Sequence, residues 1–187
     1  RCGHGRAQQW RDYMEQQPLR YFDRDLLPHL VYSARLLATF CKADRAGLAL
    51  TQNATTALNG VIQGHVRSCR ERGVTPTIVV WDISYGSVKK MANHQFGANV
   101  VEIPFQANFL HKLRESPTEE VFLKALEQTI DSADKSWENS LLIIDQMTSN
   151  TALNLPVRAL AQRAKQAGML VLVDGAHGLL AQDIALD

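Results

Sequence analysis

At 187 residues, 45% of them hydrophobic and 21% charged, the chain has the composition of a globular protein with length for one large domain and a real core. Its formal net charge of +1 gives no case for nucleic acid or an anionic membrane as a partner, and no apolar run approaches the ~20 residues of a membrane span. The opening RCGHGRAQQW has no apolar signal-peptide core. With no initial Met and an end on QDIALD, the chain reads as a fragment of a longer protein. Cys2, Cys41 and Cys69 lack CxxC spacing, so neither a disulfide framework nor a zinc site is expected, and a reducing, cytoplasmic setting fits.

In chain order, short aliphatic runs alternate with helical patterns. Residues 1–45 read as an N-terminal helical segment, in which Leu30, Val31, Ala34, Leu37, Ala38 and Cys41 form one stripe with Pro28 in the first turn. GLALT (47–51) reads as a short extended run. Ala57, Leu58, Val61, Ile62, His65, Val66 and Cys69 recur at helical spacing and predict a long helix that ends before Gly73. TIVVWD (77–82) predicts a strand, residues 86–96 a helix, and ANVVEI (98–103) a strand closed by Pro104. Ser116, Pro117 and Glu119 supply a cap, a first-turn proline and a capping box for the next helix. Its buried face is Val121, Phe122, Ala125, Leu126, Thr129 and Ile130. LLIID (141–145) is a strand, residues 156–167 a helix stopped by Gly168, and MLVLVD (169–174) a further strand.

Such alternation predicts an α/β fold, a mainly parallel sheet with helices on both faces. Three strands end on an acid, Asp82, Asp145 and Asp174, and open α/β sheets bind ligands at the carboxyl ends of their strands. Four stretches belong to that rim. TQNATTALNG (51–60) puts small and hydroxyl residues at the start of the long helix, which suits a phosphate, although Thr55 or Thr56 acting as a plain N-cap explains the same residues. In WDISYGSV (81–88), Tyr85 can cover a planar ligand or simply pack. DQMTSNTALNLPV (145–157) is a polar loop holding Gln146, Thr148, Ser149 and Asn150, and LVLVDGAHG (170–178) sets Asp174 and His177 just past a buried strand. The histidines show no HxxxH or HExxH spacing and no GxSxG occurs, so neither a metal nor a serine hydrolase is indicated. His65 reads as a core or edge histidine.

With these stretches in order, the sequence resembles the class V aminotransferases, pyridoxal phosphate (PLP) enzymes of fold type I. Within them it is most similar to the isopenicillin-N-epimerase-like and cysteine-desulfurase-like branch. MEQQPLRYFDRDL, TQNATTALNGVI, DISYGSV and DQMTSNTALNLPVRALAQRAKQAGMLVLVDGAHG carry the likeness and span nearly the whole chain. The resemblance implies PLP as cofactor and a PLP-binding large domain over residues 46–187, without its Schiff-base lysine segment and C-terminal small domain. It implies that Asp174 pairs with the pyridine nitrogen and keeps it protonated, and that His177 reaches the cofactor's phenolic oxygen or the Schiff-base region. Ala54, Thr55 and Thr56 would hold the phosphate, Tyr85 would stack on the ring, and Ser149 would lie beside the cofactor oxygen and the substrate. Asp174 and His177 are thus the catalytic candidates.

Two positions depart from the branch: Ile83 and Ser84 stand where a histidine and a glutamate are usual. The glycine-rich NHGS-type segment is absent before Arg1, and the Schiff-base lysine is expected beyond Asp187. Lys165 is no substitute, since its helical position is opposite Val157, Leu160 and Ala164. The implied activity is a lyase, epimerase or transferase reaction on an amino-acid substrate, desulfurase-like or epimerase-like, in a homodimer when full length. The alternatives are a non-catalytic domain or pseudoenzyme that retains phosphate- or PLP-binding elements, and another α/β enzyme binding a phosphorylated ligand.

Overall fold

The computed structural model describes residues 2–95, 98–104, 118–133 and 136–178. They fall into two compact units that divide at Leu50 and Thr51. The first holds α1 (Cys2–Gln16), α2 (Pro18–Arg20) and α3 (Leu26–Phe40), with a π-helical turn over Tyr21–Asp25 before α3. Pro28 is the third residue of α3, which continues directly from that π-helical turn. Trp10 meets Tyr13 and His29 edge-on, with ring centroids 5.9 and 4.6 Å apart, and Tyr13 Oη donates to Asp25 Oδ2 at 2.5 Å. Cys41 is buried just after α3. The extended run expected at 47–51 forms no strand. Asp44 turns the chain into Gly47, its carboxylate accepting the Ala46 N–H and its carbonyl the Gly47 N–H, both at 3.1 Å.

The second unit contains α4 (Ala54–Glu71), β1 (Thr77–Trp81), α5 (Gly86–Lys90), β2 (Asn99–Ile103), α6 (Thr118–Asp131), β3 (Ser140–Asp145), α7 (Val157–Gln166) and β4 (Leu170–Asp174). A π-helical turn over Met91–Gln95 prolongs α5, so the helix expected over 86–96 changes its winding part-way. Phe96, Ser116 and Pro117 lie outside the described residues, and the expected capping box with them. Gly73 at φ 70° and Gly168 at φ 86° end α4 and α7; both sit in the left-handed region that an L side chain enters at a cost.

The four strands pair in parallel in the order β2-β1-β3-β4, as the alternating pattern predicts. Every residue of β1 and β3 is buried, because helices cover both faces of these central strands. The two-residue period sorts the side chains. Ile78, Val80, Leu141 and Ile143 pack with Leu58, Ile62 and Val66 of α4 and Val88 of α5. Val79, Trp81, Leu142 and Ile144 pack with Phe122 and Leu126 of α6 and Leu160 and Ala164 of α7. Asp145 and Asp174 continue the first set and so point to the α4/α5 side.

Candidate active site

The short connection from α4 into β1 sends α4 back along the sheet, so its N-terminus lies at the carboxyl edge of the strands. Asn53 caps that end: its Oδ1 accepts the Thr56 N–H at 2.8 Å. The cap is therefore Asn53 and neither Thr55 nor Thr56. One first-turn donor is used by the cap, and the Ala54 and Thr55 N–H groups point out of the helix end without intrahelical partners. Such an end carries partial positive charge and favours an anion. Thr55 and Thr56 line a cleft of about 350 Å³ together with Asn59 of α4, Ser87 and Lys90 of α5, and Met91. Asn59, Ser87 and Lys90 were not singled out from sequence. Their signal is helical spacing, with Asn59 one turn on from Thr55 and Lys90 one turn on from Ser87.

Tyr85 stands at the other end of this arrangement, immediately before α5. Its carbonyl accepts the Val88 and Lys89 N–H groups at 2.9 and 3.2 Å, while its side chain is 41% exposed. The loop that presents it is braced on several sides. Lys89 Nζ donates to the Asp82 carbonyl at 2.6 Å, and Ser84 N–H to the Trp81 carbonyl at 2.9 Å. Ser84 Oγ donates to Asp145 Oδ2 at 2.6 Å, with both side chains buried.

Asp145 and Asp174 are register partners at the ends of β3 and β4. Burial pushes the Asp145 carboxyl above the usual carboxylate range and the nearby Asp174 charge adds to this, while the bonds from Ser84 and the Tyr85 N–H oppose it. Asp174 is 7% exposed and accepts the Ala176 N–H at Oδ1, 3.1 Å away. Among the described residues no cation pairs with it. His177 is exposed in the turn that Gly178 N–H closes on the Gly175 carbonyl at 2.9 Å. A Cβ on Gly178 would overlap the Gln146 side-chain amide, so the glycine lets the loops after β3 and β4 approach closely. Ser149 sits exposed at the tip of a tight loop held by Thr148, whose Oγ1 accepts the Leu153 N–H at 2.9 Å. The rim thus brings Thr55 and Thr56 to one cleft, and Tyr85, Asp145 and Asp174 to one hydrogen-bonded edge. Among the described residues, no side-chain hydrogen bond ties Ser149 or His177 to either. Lys165 is exposed on α7, across the sheet from Asp174.

The family model for aminotransferase class-V matches residues 31–187, most of the chain. The chain belongs to the class-V aminotransferase family. A probable cysteine desulfurase from Vibrio cholerae serotype O1 is 29% identical over 143 residues, covering 72% of this chain and 30% of that protein. An L-cysteine desulfhydrase from Arabidopsis thaliana is 28% identical over 181 residues, covering 91% of this chain and 38% of that protein. The chain therefore spans about a third of the length of the curated relatives it matches. Among solved structures, the cysteine desulfurase CsdA from Escherichia coli superposes with a TM-score of 0.57 at 22% identity, over 88% of this chain and 38% of that one; that likeness carries the fold.

Class-V aminotransferases use pyridoxal phosphate, and the cofactor is indicated for this member. The donors fit it. A buried carboxylate with no described cation beside it is costly in isolation and suits a protonated pyridine nitrogen. The capped start of α4 with its threonines and Lys90 suits a phosphate, and the exposed Tyr85 ring suits a flat heterocycle. Within the described residues no helix is long and apolar enough to cross a membrane.

Proposed function

We propose that the full-length protein is a PLP-dependent enzyme that cleaves the carbon–sulfur bond of a cysteine-like amino acid, with epimerisation as the second reading that the sequence motifs allow. The observation that carries the proposal is Asp174, a carboxylate 7% exposed at the carboxyl end of a parallel strand in a chain of this family. The likeness to a probable cysteine desulfurase and an L-cysteine desulfhydrase favours carbon–sulfur chemistry over epimerisation. In this reading a large domain begins at residue 46, after the helical segment, and works as a homodimer.

The cofactor, once bound, supplies an electron sink for the carbanion generated on the substrate. Asp174 holds the proton on the pyridine nitrogen, and its burial strengthens that ion pair. The Ala54 and Thr55 N–H groups bind the phosphate with the Thr55 and Thr56 hydroxyls, and Lys90 adds a cation to the same cleft. Tyr85 covers one face of the ring. His177 and Ser149 reach the phenolic oxygen and the substrate from the loops after β4 and β3. Ile83 and Ser84 leave the substrate without the histidine and glutamate usual in the branch. Ser84 instead donates to Asp145.

The test is to give the full-length protein L-cysteine with an excess of a thiol reductant, which frees any persulfide sulfur as sulfide, and, separately, an enantiopure amino acid without sulfur, and to measure sulfide release and loss of optical activity. Sulfide release that is greatly lowered in Asp174→Ala is the expected result. Racemisation without sulfide release would favour the epimerase reading. Near-normal turnover by Asp174→Ala would remove the role given to Asp174.

A further inference from the structure

Asp145 is a rim acid to which the chemistry above gives no task. It is 3% exposed and next to Asp174 in register. A buried carboxylate beside another is a cost that an apolar residue would avoid. Its contacts show where that cost is recovered. Oδ2 accepts the Ser84 hydroxyl at 2.6 Å, and Oδ1 faces the Tyr85 N–H at 3.4 Å. Hydrogen bonds to a charged acceptor are about twice as strong as neutral ones, so one carboxylate ties two consecutive residues of the β1–α5 loop to the end of β3.

The far side of Tyr85 is tied as well, since its carbonyl caps α5 through Val88 and Lys89. Its backbone is therefore held from both directions while its ring stands 41% exposed. Among the described residues, the ring takes part in no hydrogen bond and no ring–ring contact. A side chain with a fixed root and an unengaged ring is prepared for a flat ligand. We propose that Asp145 is a positioning residue: with Ser84 it latches the β1–α5 loop and thereby sets the placement of the Tyr85 ring against bound PLP. The proposal rests on the reading that Tyr85 covers the cofactor ring.

Removing the carboxylate outright leaves Ser84 with a buried unpaired hydroxyl, and Asp145→Ala could fail to fold for that reason alone. Ser84→Ala deletes one hydroxyl and is the working variant. The experiment titrates PLP into the full-length protein and into its Ser84→Ala, Tyr85→Ala and Ser84→Ala/Tyr85→Ala forms. It reads the dissociation constant and the circular dichroism induced in the cofactor band. Ser84→Ala should weaken binding about three- to tenfold, the range a single stacking contact accounts for, and change the induced dichroism. Tyr85→Ala should do the same, and the double variant should be no worse than Tyr85→Ala alone, because the latch acts through that ring. If Ser84→Ala changes neither readout, or its effect adds in full to that of Tyr85→Ala, Asp145 is not a positioning residue. If Tyr85→Ala itself changes neither, the placement of Tyr85 on the cofactor is wrong and the latch has no target.

Discussion

The cap on α4 permits a test that separates folding from phosphate binding at one residue. Asn53 Oδ1 holds the Thr56 N–H at 2.8 Å, and replacing such a cap with Ala costs about 1 kcal/mol, within a range of ~0.5–2. Asn53→Ala should therefore lower stability in urea denaturation by about that amount. Asn53→Asp keeps the acceptor and adds a negative charge at the positive end of the helix, which favours folding by ~0.3–1 kcal/mol. The apoprotein of this variant should be as stable as wild type or more so. The same charge opposes a phosphate at that helix start. Two charges ~6 Å apart at an effective dielectric of ~40–80 repel by about 0.7–1.4 kcal/mol, which is three- to tenfold in Kd for each phosphate charge. PLP binding by fluorescence titration should thus weaken in Asn53→Asp although folding does not, and added salt should shrink the difference. An Asn53→Asp protein that binds PLP as tightly as wild type at low salt would show that the phosphate does not sit at the start of α4.

Two further predictions concern the scaffold. Burial holds the His65 imidazole below its ordinary pKa of 6.5, against the bond to the Asn139 carbonyl, which favours the charged ring. The unfolded chain therefore takes up this proton at a higher pH than the folded one, and stability should fall as pH drops from 6.5 through the lower folded value. His65→Gln should flatten that part of the profile in urea denaturation between about pH 7.5 and 5; parallel profiles would remove the assignment. Phe122 is fully buried with its ring edge-on to Trp81 at 5.3 Å. Phe122→Ala should cost about 3–5 kcal/mol, and a loss under ~1 kcal/mol by the same assay would mean that α6 does not pack on the sheet as described.

What the sequence discloses depends on how far apart the interacting residues are. β1 and β3 were legible because two-sided burial writes itself as an unbroken aliphatic run, β4 because its run is equally aliphatic although only Asp174 of it is fully buried among the described residues, and α4 and α6 because one-sided burial repeats every three to four residues. The three rim acids followed from the same runs, since each aliphatic run is closed by its acid: Asp145 and Asp174 are the last residues of β3 and β4, and Asp82 follows β1. The run at 47–51 pairs into no strand among the described residues, and the Asp44 turn reaches only its first residue, Gly47. Thr55 or Thr56 was open as the α4 cap, and Asn53 fills that place, because the capping side chain stands three residues before the Thr56 N–H it accepts. The Ser84–Asp145 bond joins residues 61 positions apart, and no local pattern encodes that pairing. The likeness in motif order named Asp174 and Tyr85 as candidates, yet it gave Ser84 only as a departure and left Asp145 without a partner.

The proposed chemistry depends above all on the proton between Asp174 and the cofactor. It can be observed by nitrogen NMR of PLP labelled with 15N in its ring, bound to the full-length protein and to its Asp174→Ala variant. The wild-type protein should show the chemical shift of a protonated pyridine nitrogen at neutral pH, and Asp174→Ala the shift of an unprotonated one. An unprotonated nitrogen in wild type, or a protonated one that survives the loss of Asp174, would contradict the role given to the acid that ends β4.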